Sequence, residues 1–181
     1  MPSYVVLLRG VNVGKAKRVP MADFKQVLLG LGCTRAATLL NSGNAVVEHP
    51  KIASASLARK IAEALEARFG FTVPVIVKSS VEFSKVVLGN KLEVVAPEHP
   101  RLLVAFAQSK ESIASLHSLA TLVSPPERLQ LDAHAAYLHC AAGILESKAA
   151  NALLGKLGQP VTTRNWATVL KLQALAAQSA A

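Results

Sequence analysis

A glycine- and lysine-rich segment near the start of the chain is the first place where residue types and spacing suggest chemistry. Gly10, Asn12, Gly14 and Lys15 occur in the order Gly-Val-Asn-Val-Gly-Lys. Three residues separate the glycines where the phosphate loop of mononucleotide-binding proteins has four, and Ala16 stands where that loop has a magnesium-binding Ser or Thr. The mononucleotide pattern is therefore absent. Two glycines can still turn backbone amides inward, so the segment is a candidate anion-binding loop.

Positive charge is concentrated at the two ends of the chain. The net charge is +9, and +8 of it comes from residues 1–20 and 147–181, which contain no Asp or Glu. The cations there are Arg9, Lys15, Lys17, Arg18, Lys148, Lys156, Arg164 and Lys171. If the fold brings the two ends together, they form one electropositive surface that attracts anions. The alternative is that these side chains are only solvated.

A second candidate lies near the end of the chain, at Thr162-Thr163-Arg164-Asn165-Trp166. Thr162 or Thr163 is expected to cap the last helix, because a hydroxyl accepts a hydrogen bond from a free amide of the first turn. Arg164 would then occupy that first turn, where unpaired N–H groups favour a phosphate or carboxylate. We therefore predict that Arg164 binds an anion or, alternatively, ties two parts of the fold together. Trp166 is expected to pack into the core.

Other reactive side chains do not combine into a site. His134 and His139 would face opposite sides of a strand, as would His139 and Cys140, so no metal site is predicted. Ser42 lies in the turn Asn41–Asn44 rather than in a nucleophile elbow. Since the basic end segments contain no carboxylate, we nominate no catalytic residue and expect no cofactor.

The elements that would position these residues follow a ferredoxin-like order in each half. In the first half, the Asn-Ser-Gly-Asn turn indicates a hairpin, and glycines end both helices. The predicted strands are residues 4–8, 38–40, 45–47 and 73–77, and the predicted helices begin at Pro20 and Ser56. In the second half, the predicted strands are residues 102–107, 129–131 and 135–139, with helices near 112–122, up to Gly158 and from Arg164.

This order predicts an α+β fold of two ferredoxin-like units packed side by side. The first unit is expected to span residues 1–79 and the second residues 101–181, which includes a C-terminal helix. Residues 80–100 are expected to form a helix and a linker, because Pro97 and Pro100 interrupt regular structure there. A binding cleft would lie in the groove between the two units.

The overall composition excludes several classes of protein. A hydrophobic share of 51% and a charged share of 17% exclude intrinsic disorder. No apolar run reaches the ~18 residues of a spanning helix, and the start lacks signal-peptide features. We therefore expect a cytoplasmic protein with no membrane partner, in which Cys33 and Cys140 are free, buried thiols.

Several motifs together resemble those of a known family. LLRGVNVGK followed by VPM, LNSGN at the hairpin, and GILESK and TTRNWATVLKL near the end are similar to the bacterial domain-of-unknown-function family 1697. The resemblance implies a two-unit α+β fold and, as the family name states, no assigned activity. Its hallmarks fall on Arg9, Gly10, Asn12, Gly14, Ser42, Gly43, Asn44, Ser147, Lys148, Thr163, Arg164, Asn165 and Trp166. After Gly14 this chain departs from the family, with Lys15-Ala16-Lys17-Arg18.

Three hypotheses for the function follow. The first is binding of a small phosphorylated or anionic molecule in a basic groove lined by Arg9, Asn12, Gly14, Lys15, Ser42, Asn44, Lys148, Arg164 and Asn165. The second is an enzyme of unknown reaction that uses the same groove. The third is a scaffold or a weak, non-specific binder of the nucleic-acid backbone, since aromatic residues for base stacking make up only 4% of the chain. The oligomeric state is left open.

Overall fold

The computed structural model describes residues 1–179, which form two α+β units. One unit contains Met1–Phe83 and the segment that begins at Leu172, and the other contains Ser84–Lys171. The expected division of the chain into residues 1–79, 80–100 and 101–181 stays a prediction.

The first unit has a four-stranded antiparallel sheet in which the strands lie in the order Arg35–Leu39, Asn44–Glu48, Ser3–Leu8 and Val75–Ser79, which is β2-β3-β1-β4 when they are numbered along the chain. This is the strand order of a ferredoxin-like unit, so the fold predicted for the first half is confirmed. The elements in chain order are β1 (Ser3–Leu8), α1 (Met21–Gly30), β2 (Arg35–Leu39), β3 (Asn44–Glu48), α2 (Ser54–Phe69) and β4 (Val75–Ser79).

The two helices of this unit bury the apolar faces that their spacing predicted. Leu57, Ile61 and Leu65 of α2 share one core cluster with Phe24 and Leu28 of α1. Helix α2 starts two residues earlier than expected, at Ser54, and ends where predicted. Gly70 stops it in a left-handed conformation, and its N–H donates to the Glu66 carbonyl at 2.8 Å.

The hairpin predicted at Asn41–Asn44 joins β2 and β3. Leu39 and Asn44 are directly opposed in the antiparallel register, so the turn occupies the residues between them. Gly43 adopts a φ of +81° and lies against the side chains of Leu8 and Val11. This close approach leaves no room for a Cβ atom, and it holds the hairpin turn against the end of β1.

Helix α3 (Ser80–Gly89) begins with a capping box, which was not predicted. The Glu82 N–H donates to Ser79 Oγ at 3.2 Å, and the Glu82 carboxylate accepts from the Ser79 N–H and the Ser54 hydroxyl, both at 2.7 Å. Burial raises the pKa of Glu82, but these hydrogen bonds and the charge of Lys78 outweigh it, so the pKa lies below its usual value.

The second unit repeats the same sheet order, as β6-β7-β5-β8. Its elements are β5 (Leu102–Ala107), α4 (Lys110–Ala114), β6 (Arg128–Leu131), β7 (Ala135–His139), α5 (Lys148–Leu154), β8 (Val161–Asn165) and the start of α6 (Trp166–Gln178). The residues of α6 from Leu172 onward belong to the first unit. Two 3-10 helices, Ala96–Arg101 and Ser115–Leu122, interrupt the second unit. Most of the helix predicted near residues 112–122 is therefore 3-10 rather than α.

Strand β8 was not predicted, and it changes the environment of the TTRNW motif. Val161, Thr162 and Thr163 are β-branched residues, which favour a strand. They pair with β5, where Thr162 lies opposite Phe106 and Arg164 opposite Val104. The expectation that Thr162 or Thr163 caps the last helix is therefore wrong, and Arg164 lies in a strand instead of a first helical turn.

Substituting Gly43 tests how tightly the hairpin turn packs on β1. A Cβ at Gly43 would lie 2.6 Å from Leu8 Cβ and 2.9 Å from Val11 Cγ2, whereas one at Gly70 meets nothing within 4 Å. Both glycines have a left-handed φ, so Gly70→Ala is the matched control for backbone strain. We expect Gly70→Ala to lower the free energy of unfolding by about 1 kcal/mol and Gly43→Ala by about 3 kcal/mol. Urea denaturation measures both, and equal losses would contradict the packing argument.

Candidate functional site

The loop from Arg9 to Pro20, which connects β1 to α1, is closed by the side chain of Asn12. Asn12 Oδ1 accepts a hydrogen bond from the Val19 N–H at 2.9 Å, and Asn12 Nδ2 donates to the Val19 carbonyl at 2.8 Å. The Asn12 N–H also donates to the Lys17 carbonyl at 3.1 Å. One residue thus fastens the two ends of the loop together.

Asn12 also ties the loop to the β2–β3 hairpin. Its Nδ2 donates to the carbonyl of Asn41 at 2.6 Å. Nearby, the Leu8 N–H donates to the Gly43 carbonyl at 2.8 Å, so the base of the loop and the hairpin turn are joined at two points. Because β1 and β3 are neighbours in the sheet, the loop and the turn emerge at the same edge.

The backbone of the loop has an unusual conformation, with four residues at positive φ. Gly10, Asn12, Gly14 and Lys17 all have positive φ, at 67°, 57°, 62° and 49°. No atom lies within 4 Å of the position that a Cβ would take at Gly10 or Gly14. Within residues 1–179, no acceptor forms a hydrogen bond with the backbone N–H groups from Val13 to Lys15. These exposed amides are free to bind an anion.

Three cationic side chains belong to the same loop as these amides. Lys15, Lys17 and Arg18 are all exposed, and Lys17 Nζ donates to the Thr72 carbonyl at 3.3 Å. None of the ion pairs found among the described residues includes any of the three. Arg9, at the start of the loop, is half-buried, and burial lowers its pKa. Lys15, Lys17 and Arg18 therefore carry positive charge that no carboxylate of residues 1–179 pairs with at contact distance.

The predicted site residue Ser42 lies in the hairpin turn next to the loop, and Asn44 is the first residue of β3. Asn44 is fully buried, and its Nδ2 donates to the Leu39 carbonyl at 3.0 Å and to Ser42 Oγ at 2.9 Å. Leu40 in the same turn has a φ of +59°, which is rare for a bulky side chain and costs about 1 kcal/mol. Asn44 stabilises the turn, while Ser42 is exposed.

The three predicted site residues of the second unit have separate environments. Lys148 is exposed in the first turn of α5, where Ser147 Oγ accepts from the Ala150 N–H at 3.0 Å. Asn165 caps α6, because its Oδ1 accepts from the Thr168 N–H at 2.9 Å. The cap that was assigned to Thr162 or Thr163 thus belongs to Asn165.

Arg164 is a buried strand residue. Its Nη1 donates to Thr162 Oγ1 at 2.8 Å and to the Thr163 carbonyl at 2.7 Å. Burial lowers the pKa of its guanidinium to about 10, so the group is still protonated at neutral pH. Trp166, the next hallmark, is buried as expected.

Histidine, cysteine and acidic side chains of the described residues were also candidates for a site. Within residues 1–179, no group of three or more His, Cys, Asp or Glu side chains could hold a metal ion. His139 Nε2 lies 3.2 Å from Glu98 Oε2, and Cys33 and Cys140 are buried free thiols, as expected.

Among the helices of residues 1–179, none is both long enough and apolar enough to cross a lipid bilayer.

Comparison with known proteins identifies the family. The profile of the family described as "Protein of unknown function (DUF1697)" matches residues 1–137. The chain belongs to this family. The matched residues include the loop and the hairpin motifs, LLRGVNVGK and LNSGN, and end before TTRNW. Among curated proteins, no significant match to this chain is found.

A solved structure has the same fold as this chain. The conserved bacterial protein SP0830 from Streptococcus pneumoniae is similar with a TM-score of 0.80 and 21% sequence identity. The match covers 97% of this chain and 98% of that protein. At this identity the likeness establishes a shared fold and carries no activity. It confirms the predicted α+β class over nearly the whole chain.

Replacing Asn12 should open the loop. Asn12→Ala removes three side-chain hydrogen bonds, so we expect a loss of about 2–3 kcal/mol in the free energy of unfolding. The amide of Val19 should also exchange faster with solvent. Asn41→Ala is the control, because the Asn41 carbonyl that accepts from Asn12 is retained. Unchanged protection of the Val19 amide in Asn12→Ala would show that another contact closes the loop.

Arg164→Ala should destabilise the second unit. The substitution removes a buried side chain with two hydrogen bonds, so we expect a loss of more than about 1 kcal/mol. Lys171→Ala removes the same charge from an exposed position of α6 and should have little effect. Thermal and urea denaturation compare the two. Equal, small losses would indicate that Arg164 has no structural role.

Proposed function

We propose that this protein binds a phosphorylated or otherwise anionic small molecule at the Arg9–Pro20 loop of its first unit. The observation that supports the proposal most directly is the hydrogen bonding of Asn12, which holds a loop with exposed, unbonded amides in one shape. A binding site that is already ordered before its ligand arrives loses less conformational entropy on binding. The proposal uses only residues of this unit.

The electrostatics of the loop favour an anion over a neutral ligand. Lys15, Lys17 and Arg18 are exposed on the same loop as the free amides of Val13 and Gly14. Several amides converging with cationic side chains form the kind of concave anion site known as a nest. Since residues 1–20 contain no Asp or Glu, no carboxylate on the loop itself competes for the cations.

The side chains of the loop favour binding over catalysis. The loop offers hydrogen-bond donors and positive charge, but it contains no carboxylate or imidazole that could transfer a proton. Lys148, Arg164 and Asn165 stay predicted site residues of the second unit. Of these, Arg164 and Asn165 already make hydrogen bonds within that unit, which supports structural roles for both.

An NMR titration of the ¹⁵N-labelled protein with inorganic phosphate and pyrophosphate tests the proposal. We expect the amide resonances of Val13, Gly14 and Lys15 to shift most. The double variant Lys15→Gln/Arg18→Gln should bind at least roughly tenfold more weakly, because two charges near the anion are lost. Lys51→Gln/Lys60→Gln removes two exposed charges elsewhere in the unit and is the matched control.

Two outcomes would contradict the proposal. One is a set of shifts that is spread over exposed lysines throughout the chain with no preference for the loop. The other is an equal loss of affinity in the two double variants, which would indicate non-specific attraction to net charge. An oligonucleotide titrated in the same way distinguishes a phosphodiester chain from a small phosphate.

A further inference from the structure

We propose that the ligand of the loop is an amphipathic phosphate ester, in which the phosphate is attached to an apolar group. This inference rests on the proposed function, and it names the chemical class of the ligand. The phosphate would meet the free amides and cations of the loop. The apolar group would meet two exposed hydrophobic side chains, Val13 and Leu40.

Val13 and Leu40 are exposed although both are apolar. Val13 is 74% exposed at the centre of the loop, between Asn12 and Gly14. Leu40 is 53% exposed in the hairpin turn. Asn12 directly precedes Val13, and Asn41 directly follows Leu40. A hydrogen bond from Asn12 Nδ2 to the Asn41 carbonyl joins these two neighbours. The two apolar residues therefore lie on adjoining segments at the same edge of the sheet.

The backbone of Leu40 gives a second reason to assign these side chains a role. A leucine with a φ of +59° is strained, since its Cβ is crowded by the following carbonyl. Asparagine or glycine would adopt this conformation more easily. Since more than half of Leu40 is exposed, core packing gains little from its side chain. Strained residues that packing does not explain are frequent at ligand sites.

An inorganic anion would use only part of this surface. Phosphate alone can bind the amides near Gly14 and the cations Lys15 and Arg18, but it leaves Val13 and Leu40 in water. The apolar group of an ester would cover both side chains. Apolar surface of the protein and of the ligand would then be removed from water. The combination of unpaired cations with adjoining apolar side chains therefore fits an amphipathic phosphate ester better than a free ion.

Isothermal titration calorimetry with inorganic phosphate and with hexyl phosphate tests this inference. We expect hexyl phosphate to bind roughly tenfold more tightly. In the double variant Val13→Thr/Leu40→Asn, the ratio of the two affinities should fall to about one. Threonine keeps the shape of valine, and asparagine tolerates positive φ, so the fold should be retained. Val81→Thr/Leu29→Gln replaces exposed apolar residues elsewhere in the unit and should leave the ratio unaltered.

Vesicle sedimentation distinguishes the source of such an ester. The vesicles consist of phosphatidylcholine with phosphatidic acid. If the protein binds hexyl phosphate but does not sediment with these vesicles, the result supports a soluble ester. Sedimentation that is lost in Val13→Thr/Leu40→Asn supports a lipid headgroup. Equal affinity for phosphate and hexyl phosphate, with no sedimentation, overturns the inference but not the proposed function. If neither phosphate nor hexyl phosphate binds, the proposed function itself fails.

Discussion

The carboxamide of Asn12 is the interaction on which the architecture of the candidate site depends. Its donors and acceptor fasten Val19 to the start of the loop and attach the loop to Asn41 of the hairpin. An amide side chain suits this position, because it donates and accepts at once and tolerates positive φ. Without it, the loop between β1 and α1 would have to be ordered by the ligand, at a cost in affinity. Gly43 complements Asn12, since its missing side chain lets the turn lie against Leu8 and Val11.

Much of the fold could be predicted because local signals agree with tertiary structure in most of the chain. The four-residue spacing of Leu57, Ile61 and Leu65, followed by Gly70, marks a helix and its end without any knowledge of its neighbours. Strand β8 was missed because Thr162 and Thr163 favour both a strand and a helix cap. The choice between these states is made by pairing with β5, more than fifty residues earlier in sequence, and local pattern does not contain that information.

The candidate site could be predicted only in part, for a related reason. The exposed cations and Gly14 are evident from composition and spacing, and they lie in the connection between β1 and α1. Asn12, Asn44 and Asn165 are also candidate site residues in the sequence. A side-chain amide can form hydrogen bonds either with a ligand or with the backbone, and the sequence does not distinguish the two. Asn44 and Asn165 satisfy carbonyl or N–H groups of their own turns. Asn12 bonds a carbonyl twenty-nine residues away, which only the folded hairpin brings into reach.

The two units share one strand order but differ in the connection that follows their first strand. In the first unit this connection is the loop from Arg9 to Pro20, whereas in the second only Gln108 and Ser109 separate β5 from α4. The sheet therefore does not need a long segment at this point. Lengthening a surface loop costs little closure entropy, so such a segment can be gained or reshaped while the core beneath it is unaltered. In a fold that occurs twice in one chain, one copy can keep the minimal connection while the other carries a longer loop. Residues 13–18 are therefore a segment that the fold itself does not require, held in place by Asn12, Val19 and the hairpin.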